Sequence, residues 1–209
     1  MAFIETSAVA IGPYGSRAAL RSAPLPALYP AGAEIYGQGE RCRGIYQVEF
    51  GAVRVYRLLA DGRRQITAFH LAGEMFGFEA DTVHHFFAEA ICATGVRPIA
   101  ASNDSDQSGR ILPMALKSLV RAQEHLLVLG RQNAVERIAA FLGDLADRQG
   151  GLKLIDLPMS RTDISDYLGL TIETVSRVFS RLKRQGVIRL PNLRSVEVVN
   201  WQALQEMAG

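Results

Sequence analysis

Glu173, Ser176 and Arg177 stand close together in the stretch TIETVSRVFSRLKRQG, Thr171 to Gly186, and as a set they can read nucleic-acid bases. An arginine grips guanine O6 and N7 with two hydrogen bonds, and a carboxylate accepts from a cytosine or adenine amino group. A serine reaches a base or a phosphate without crowding either. At helical spacing Val175, Val178, Phe179 and Leu182 form one apolar stripe, while Glu173, Ser176, Arg177 and Ser180 share the opposite face. A carboxylate facing a polyanion is unfavourable unless it reads a base. On the same spacing, Glu173 and Arg177 also make an i, i+4 ion pair worth about 0.2–0.5 kcal/mol on an exposed helix. The neighbouring elements decide between these readings.

Ser160-Arg-Thr-Asp163 has the form of a capping box, opening a helix whose Ile164, Tyr167 and Leu168 face inward and which Gly169 ends. Thr171 caps the next helix, and Gly186 stops it after Lys183 and Arg184, cations suited to the negative end of the helix dipole. Val187 to Leu190, a turn at Pro191-Asn192-Leu193-Arg194, and Ser195 to Val199 then predict a hairpin. Two helices joined by a glycine turn and followed by a hairpin are a winged helix-turn-helix, whose second helix enters the DNA major groove. In that setting Glu173, Ser176 and Arg177 are base readers. Ser160, Thr162, Thr171, Thr174 and Arg181 are candidate phosphate contacts that fix register.

Upstream, residues 26–107 are broken by frequent glycines into short apolar runs, with turn signals at Phe50-Gly51 and Asp61-Gly62, which predicts a jelly-roll-like β domain. The pattern turns helical over 108–132. Leu112, Leu116, Leu119, Gln123 and Leu126 fall near heptad a and d positions, so this helix pairs with its copy in a second chain or packs on its own β domain. A second helix from Asn133 to about Gln149 opens the C-terminal unit, 133–209, and Gly150-Gly151 stops it. The fold class is α+β.

The chain has 209 residues, 48% of them apolar, enough for a packed core. With a formal net charge of only +2, any anion-binding surface has to be local. No run approaches the roughly 18 apolar residues of a membrane span. The opening MAFIETSAVAIGPYGSRAAL carries Glu5 early and lacks a basic start, so it reads as a loose arm, residues 1–25, on a cytoplasmic protein. Cys42 and Cys92 are too few for a disulfide framework or a cysteine metal site. Arg41 and Arg43 flank Cys42 and favour a thiolate, so the two cysteines enter as candidate redox residues.

The tail MSRTDISDYLGLTIETVSRVFSRLKRQGVI resembles the DNA-binding domain of the CRP/FNR family of bacterial transcription regulators. The order Glu173-x-x-Ser176-Arg177 is similar to the FNR and FixK branch, whereas the CRP pattern places Arg before Glu and Gly before the second Arg. GEMFGFEA at the ligand cassette, the long helix and RQNAVERIAAFL extend the resemblance over nearly the whole chain after residue 25. It implies a cyclic-nucleotide-binding-like β-roll, a dimerisation helix and a winged helix-turn-helix. It also implies a homodimer that binds double-stranded DNA at a palindrome of TTGAT-like half-sites with inverted copy ATCAA, and an activator that contacts RNA polymerase.

In cyclic-AMP-binding members of the family an Arg-Ser pair holds the cyclic phosphate; Gly73-Glu74 is present here, but the matching place reads His84-His85-Phe86-Phe87. A neutral imidazole offers one donor where arginine offers a charged fork, so no cyclic nucleotide is expected. FNR's iron–sulfur centre needs an N-terminal cysteine cluster, and residues 1–41 contain no cysteine. Haem stays open through His70, His84 or His85. A rival reading makes the β domain a cupin-like metal enzyme using His70, His84, His85 and Glu89. Adjacent histidines on a strand point to opposite faces, which argues against that shared metal.

Overall fold

A computed structural model describes residues 25–99, 105–131 and 133–209; the expected arm, residues 1–25, lies outside them except for its last residue. Eight strands come first: β1 (Ala27–Tyr29), β2 (Glu34–Tyr36), β3 (Ile45–Phe50), β4 (Ala52–Leu58), β5 (Arg64–Leu71), β6 (Met75–Phe76), β7 (Phe87–Ala90) and β8 (Thr94–Ile99). They form two antiparallel sheets, ordered β1-β8-β3-β6 and β2-β7-β4-β5. Helices α1 (Ser105–Leu129) and α2 (Ala134–Arg148) follow, then β9 (Leu154–Asp156), α3 (Arg161–Leu168), α4 (Ile172–Arg184), β10 (Ile188–Asn192), β11 (Ser195–Val198) and α5 (Trp201–Ala208). The last three strands pair as β10-β11-β9.

Phe50-Gly51 is a corner between the two sheets, not a hairpin, because β3 and β4 belong to different sheets. Gly51 takes φ +81°, and a Cβ there would stand 2.6 Å from the Ala93 carbonyl oxygen, so only glycine fits. The Asp61-Gly62 signal does lie in the hairpin between β4 and β5.

The two faces of the β4–β5 ribbon serve different cores. Val53 and Val55 point into the roll with Tyr36, Val48, Phe76, Ala88 and Val96. Ala52, Ile66 and Phe69 belong instead to the core that contains α2, α3 and α4. Residues 66 and 69 would lie on opposite faces of a regular strand. The register shifts so that Val55 faces Ala68 while Tyr56 faces Ile66, and Thr67 is the extra residue of a bulge. The bulge turns both Ile66 and Phe69 outward and makes the ribbon a platform for the C-terminal unit.

Ion pairs complete that platform. Arg54 and Arg64 reach Asp163 of α3 at 3.1 and 2.7 Å, Arg64 also reaches Asp166 at 2.8 Å, and Arg54 pairs with Glu89. The Gln65 amide donates to the Asp166 carbonyl at 2.7 Å. Arg137 of α2 ties the hinge: Nη2 donates to the Arg131 carbonyl at 3.0 Å and Nη1 to the Leu168 carbonyl at 3.0 Å. It thereby joins the end of α1 to the end of α3.

Helix α1 has two faces. His125 is buried and Arg121 reaches Glu74 at 2.7 Å, whereas Leu112, Leu116, Leu119 and Leu126 are each more than half exposed. Gln123 is exposed with them. The alternative in which these leucines cover the chain's own β domain is therefore set aside. Val120 and Leu127 extend the exposed stripe and were not part of the expected seam. Helix α5 was also not expected, although Asn200 accepts from the Ala203 N–H as an N-cap and Leu204 is buried.

Candidate nucleic-acid interface

Helix α4 is held from beneath by Val175, Val178, Phe179 and Leu182, all buried, so its opposite face is fixed in direction. Glu173, Ser176, Arg177 and Ser180 occupy that face and are exposed. Thr171 caps the helix by accepting from the Thr174 N–H at 3.2 Å, as the sequence predicts. Gly169 takes φ +61°, a left-handed conformation that ends α3 and makes the turn into α4 possible. The capping box is complete: Ser160 Oγ accepts from the Asp163 N–H at 3.1 Å while Asp163 accepts from the Ser160 N–H at 2.9 Å.

Arg177 does not pair with Glu173. Its Nη2 donates to Thr174 Oγ1 at 3.4 Å, and Thr174 Oγ1 lies 3.1 Å from Thr171 Oγ1. Hydrogen bonds from its own backbone N–H and from Thr171 hold the Glu173 carboxyl below its ordinary value, with a smaller contribution from the Arg177 charge. Glu173 is thus ionised and, with Arg177, open to solvent. Ser180 donates to the Ser176 carbonyl at 2.9 Å, which leaves Ser176 Oγ free of that bond. Arg177, Arg181 and Arg184 line one surface hollow with Thr174 and Ser176, a local concentration of cations on a chain of low net charge. Ser160 and Thr162 are exposed at the start of α3, and Thr171 and Arg181 are exposed on α4. Arg161 was missed by sequence reading: its guanidinium lies 3.3 Å from the centroid of Phe179 and clamps α3 onto α4.

The wing differs in one detail from expectation. Pro191 and Asn192 belong to β10, so the turn shrinks to Leu193 and Arg194.

The roll's histidines require a correction. His84 and His85 lie in a loop, not on a strand, and both turn to one carboxylate: their Nδ1 atoms sit 3.1 and 2.9 Å from Glu79. His84 is buried and stacks on Tyr36 with ring centroids 3.6 Å apart. Tyr46 and Phe76 continue this aromatic filling of the roll. Glu89 is engaged by Arg54, and His70 lies on β5 against Phe76, so the four residues of the cupin-like reading do not converge. Glu74 is also committed. Arg148 and Arg121 bind its carboxylate and the Leu71 N–H donates to it at 3.0 Å. Burial raises its pKa, but these partners outweigh burial and hold it below the ordinary value. Cys42 and Cys92 are free and partly buried, Cys42 with Sγ 3.8 Å from the Gly44 carbonyl oxygen.

A β-roll, a long helix with an uncovered apolar face and a winged helix-turn-helix with an exposed polar recognition face define a DNA-binding transcription regulator. Residues 27–101 match the model of the cyclic nucleotide-binding domain, and residues 136–207 match the Crp-like helix-turn-helix domain. The nitrogen fixation regulation protein FixK of Rhizobium meliloti is 55% identical over 88% of this chain and 87% of its own length. The fumarate and nitrate reduction regulatory protein of Escherichia coli is 33% identical over 85% of this chain and 76% of its own length. The structure of FixK2 from Bradyrhizobium japonicum superposes with a TM-score of 0.81 at 43% identity, covering 88% of this chain and 96% of that one. The chain belongs to the CRP/FNR family, with FixK proteins among its relatives, and is a regulator of transcription rather than an enzyme. Among the described residues, no helix is long and apolar enough to cross a membrane.

Proposed function

We propose that the protein works in the cytoplasm as a homodimeric activator that binds a palindrome of TTGAT-like half-sites and contacts RNA polymerase from that position. The observation that carries this reading is the exposed set Glu173, Ser176 and Arg177, with no ion pair between Glu173 and Arg177, on a helix fixed from below. Arg177 reads a guanine in each half-site, and Glu173 and Ser176 read neighbouring bases. Thr171, Thr174, Arg181, Ser160 and Thr162 hold phosphates and set the register. Two copies join along Leu112, Leu116, Leu119, Gln123 and Leu126, which places the half-sites about one helical turn apart. No cyclic nucleotide is needed, a reading supported by Tyr36, Tyr46, Phe76 and His84 filling the roll, and with two cysteines, Cys42 and Cys92, an iron–sulfur cluster is not expected either.

Selection of binding sites from random duplexes with the purified chain tests this reading. Enrichment of inverted TTGAT-like repeats at fixed spacing is the expected outcome. Enrichment of single half-sites, or of unrelated sequence, would overturn it.

A further inference from the structure

A cavity of about 90 Å³ lies where β5, α1, α2 and α3 meet. Phe69, Phe141 and Tyr167 give it aromatic walls, and His70 and His125 line it from the roll and from the long helix. Both histidines leave a shielded Nδ1 without a hydrogen-bond partner. His125 is itself only 8% exposed and stacks on Tyr167 with ring centroids 3.8 Å apart. Buried polar atoms without partners are rare in folded proteins and call for water or a ligand.

The chemistry of the walls narrows the occupant. The cations are already matched: Arg148 binds Glu74 and Asp144, and Arg121 binds Glu74. Burial pushes both imidazoles down to about 4, so they are neutral at physiological pH. A neutral imidazole offers one donor and one acceptor. Strand β5 is the outer strand of its sheet, and its Phe69 carbonyl already accepts from Arg148 at 2.6 Å. The cavity has room for a few waters or one small molecule of comparable bulk.

We propose that this junction is a binding site for a small uncharged molecule carrying both a hydrogen-bond donor and an acceptor, of the amide or azole kind. Its walls come from the roll, the long helix and the DNA-binding unit together. An occupant therefore favours the docked arrangement of those parts over any arrangement in which they separate.

Pyrazole, which is neutral and of suitable size, is the probe. It is titrated to about 10 mM into the full chain with ring-¹⁵N-labelled histidines, a range suited to millimolar affinity. Saturable shifts at His70 and His125, with His84 and His85 unmoved, are expected, together with a rise in Tm. Acetate, of similar size but charged, should leave all four rings unmoved. His125→Phe keeps the stack on Tyr167 but removes the polar atom, and should weaken pyrazole at least about tenfold, equivalent to about 1.4 kcal/mol. Rings that do not respond, with long-lived water signals beside them, would mean water alone occupies the cavity and would overturn the proposal. Equal binding by wild type and His125→Phe would overturn it as well. Should His125→Phe fail to fold, His70→Leu, which removes the other unpartnered ring nitrogen, takes its place with the same expectation.

Discussion

Helices α1 and α4 are built alike and left unfinished in opposite ways. Each buries one face against its own chain, α1 through Arg121 and His125 and α4 through Val175, Val178, Phe179 and Leu182. What remains in solvent differs: leucines on α1, and Glu173, Ser176, Arg177 and Arg181 on α4. An uncovered apolar stripe is satisfied by another apolar stripe, because burial from water drives the pairing. A polar face bearing cations is satisfied by a polyanion with hydrogen-bonding edges. The same amphipathic geometry therefore specifies a protein partner at one place and a nucleic-acid partner at the other.

The largest test removes what holds α4's platform still. Asp163→Ala deletes the capping-box acid and removes the partner that Arg54 and Arg64 share, leaving them Glu89 and Asp166, so the cost lies toward the lower end of the about 3–5 kcal/mol of a broken buried pair. Thermal or urea unfolding should show that loss, while the preferred DNA sequence should stay unchanged in whatever protein remains folded. Next comes the stripe of α1. Truncating a leucine buried in a seam costs about 2–5 kcal/mol. Leu119→Glu adds a charge to that loss, so sedimentation should find monomers. A stable Leu119→Glu dimer would break the comparison, because the leucines would then not be the partner face.

On α4 the effects are smaller and more specific. Arg177→Ala should lose about 1–3 kcal/mol of discrimination at one guanine per half-site, read by competition between matched and mismatched duplexes. Arg181→Ala should weaken all sequences alike and reduce the slope of affinity against salt by about one. If both substitutions act identically, the division between base reading and phosphate holding is wrong. A last test concerns pH. His70 and His125 are held down to about 4, so the unfolded chain binds more protons than the folded one below about 6.5. Stability should therefore fall as pH drops from about 6.5 toward 4, and His125→Phe should flatten that fall without changing the affinity of matched DNA at pH 7.

Periodicity explains what was legible in advance. Both faces of α4, its cap at Thr171, the capping box at Ser160 and the leucine stripe of α1 are local patterns, repeated every three or four residues. The bulge at Thr67 left no such mark, since one extra residue in a strand reverses the inward and outward pattern after it. Alternation alone would put Ile66 and Phe69 on opposite sides, whereas both face the second core. The contacts of Arg54 and Arg64 with Asp163 join residues about a hundred positions apart, and no spacing rule reaches that far. His84 and His85 misled for a related reason: the strand rule does not apply to a loop that wraps one carboxylate. Helix α5 was readable in principle, from Asn200 as a cap ahead of Trp201 and Leu204.

Asp163 is bound twice, once within its own helix and once to two arginines from the β-roll. For anyone building chimeras, this means the C-terminal segment is not a cartridge that can be exchanged at the hinge. A graft onto a foreign roll lacking the equivalents of Arg54 and Arg64 would leave Asp163 Oδ1 without its cationic partners at the foot of its DNA-reading helices. A successful transplant has to move the β4–β5 ribbon along with the reader.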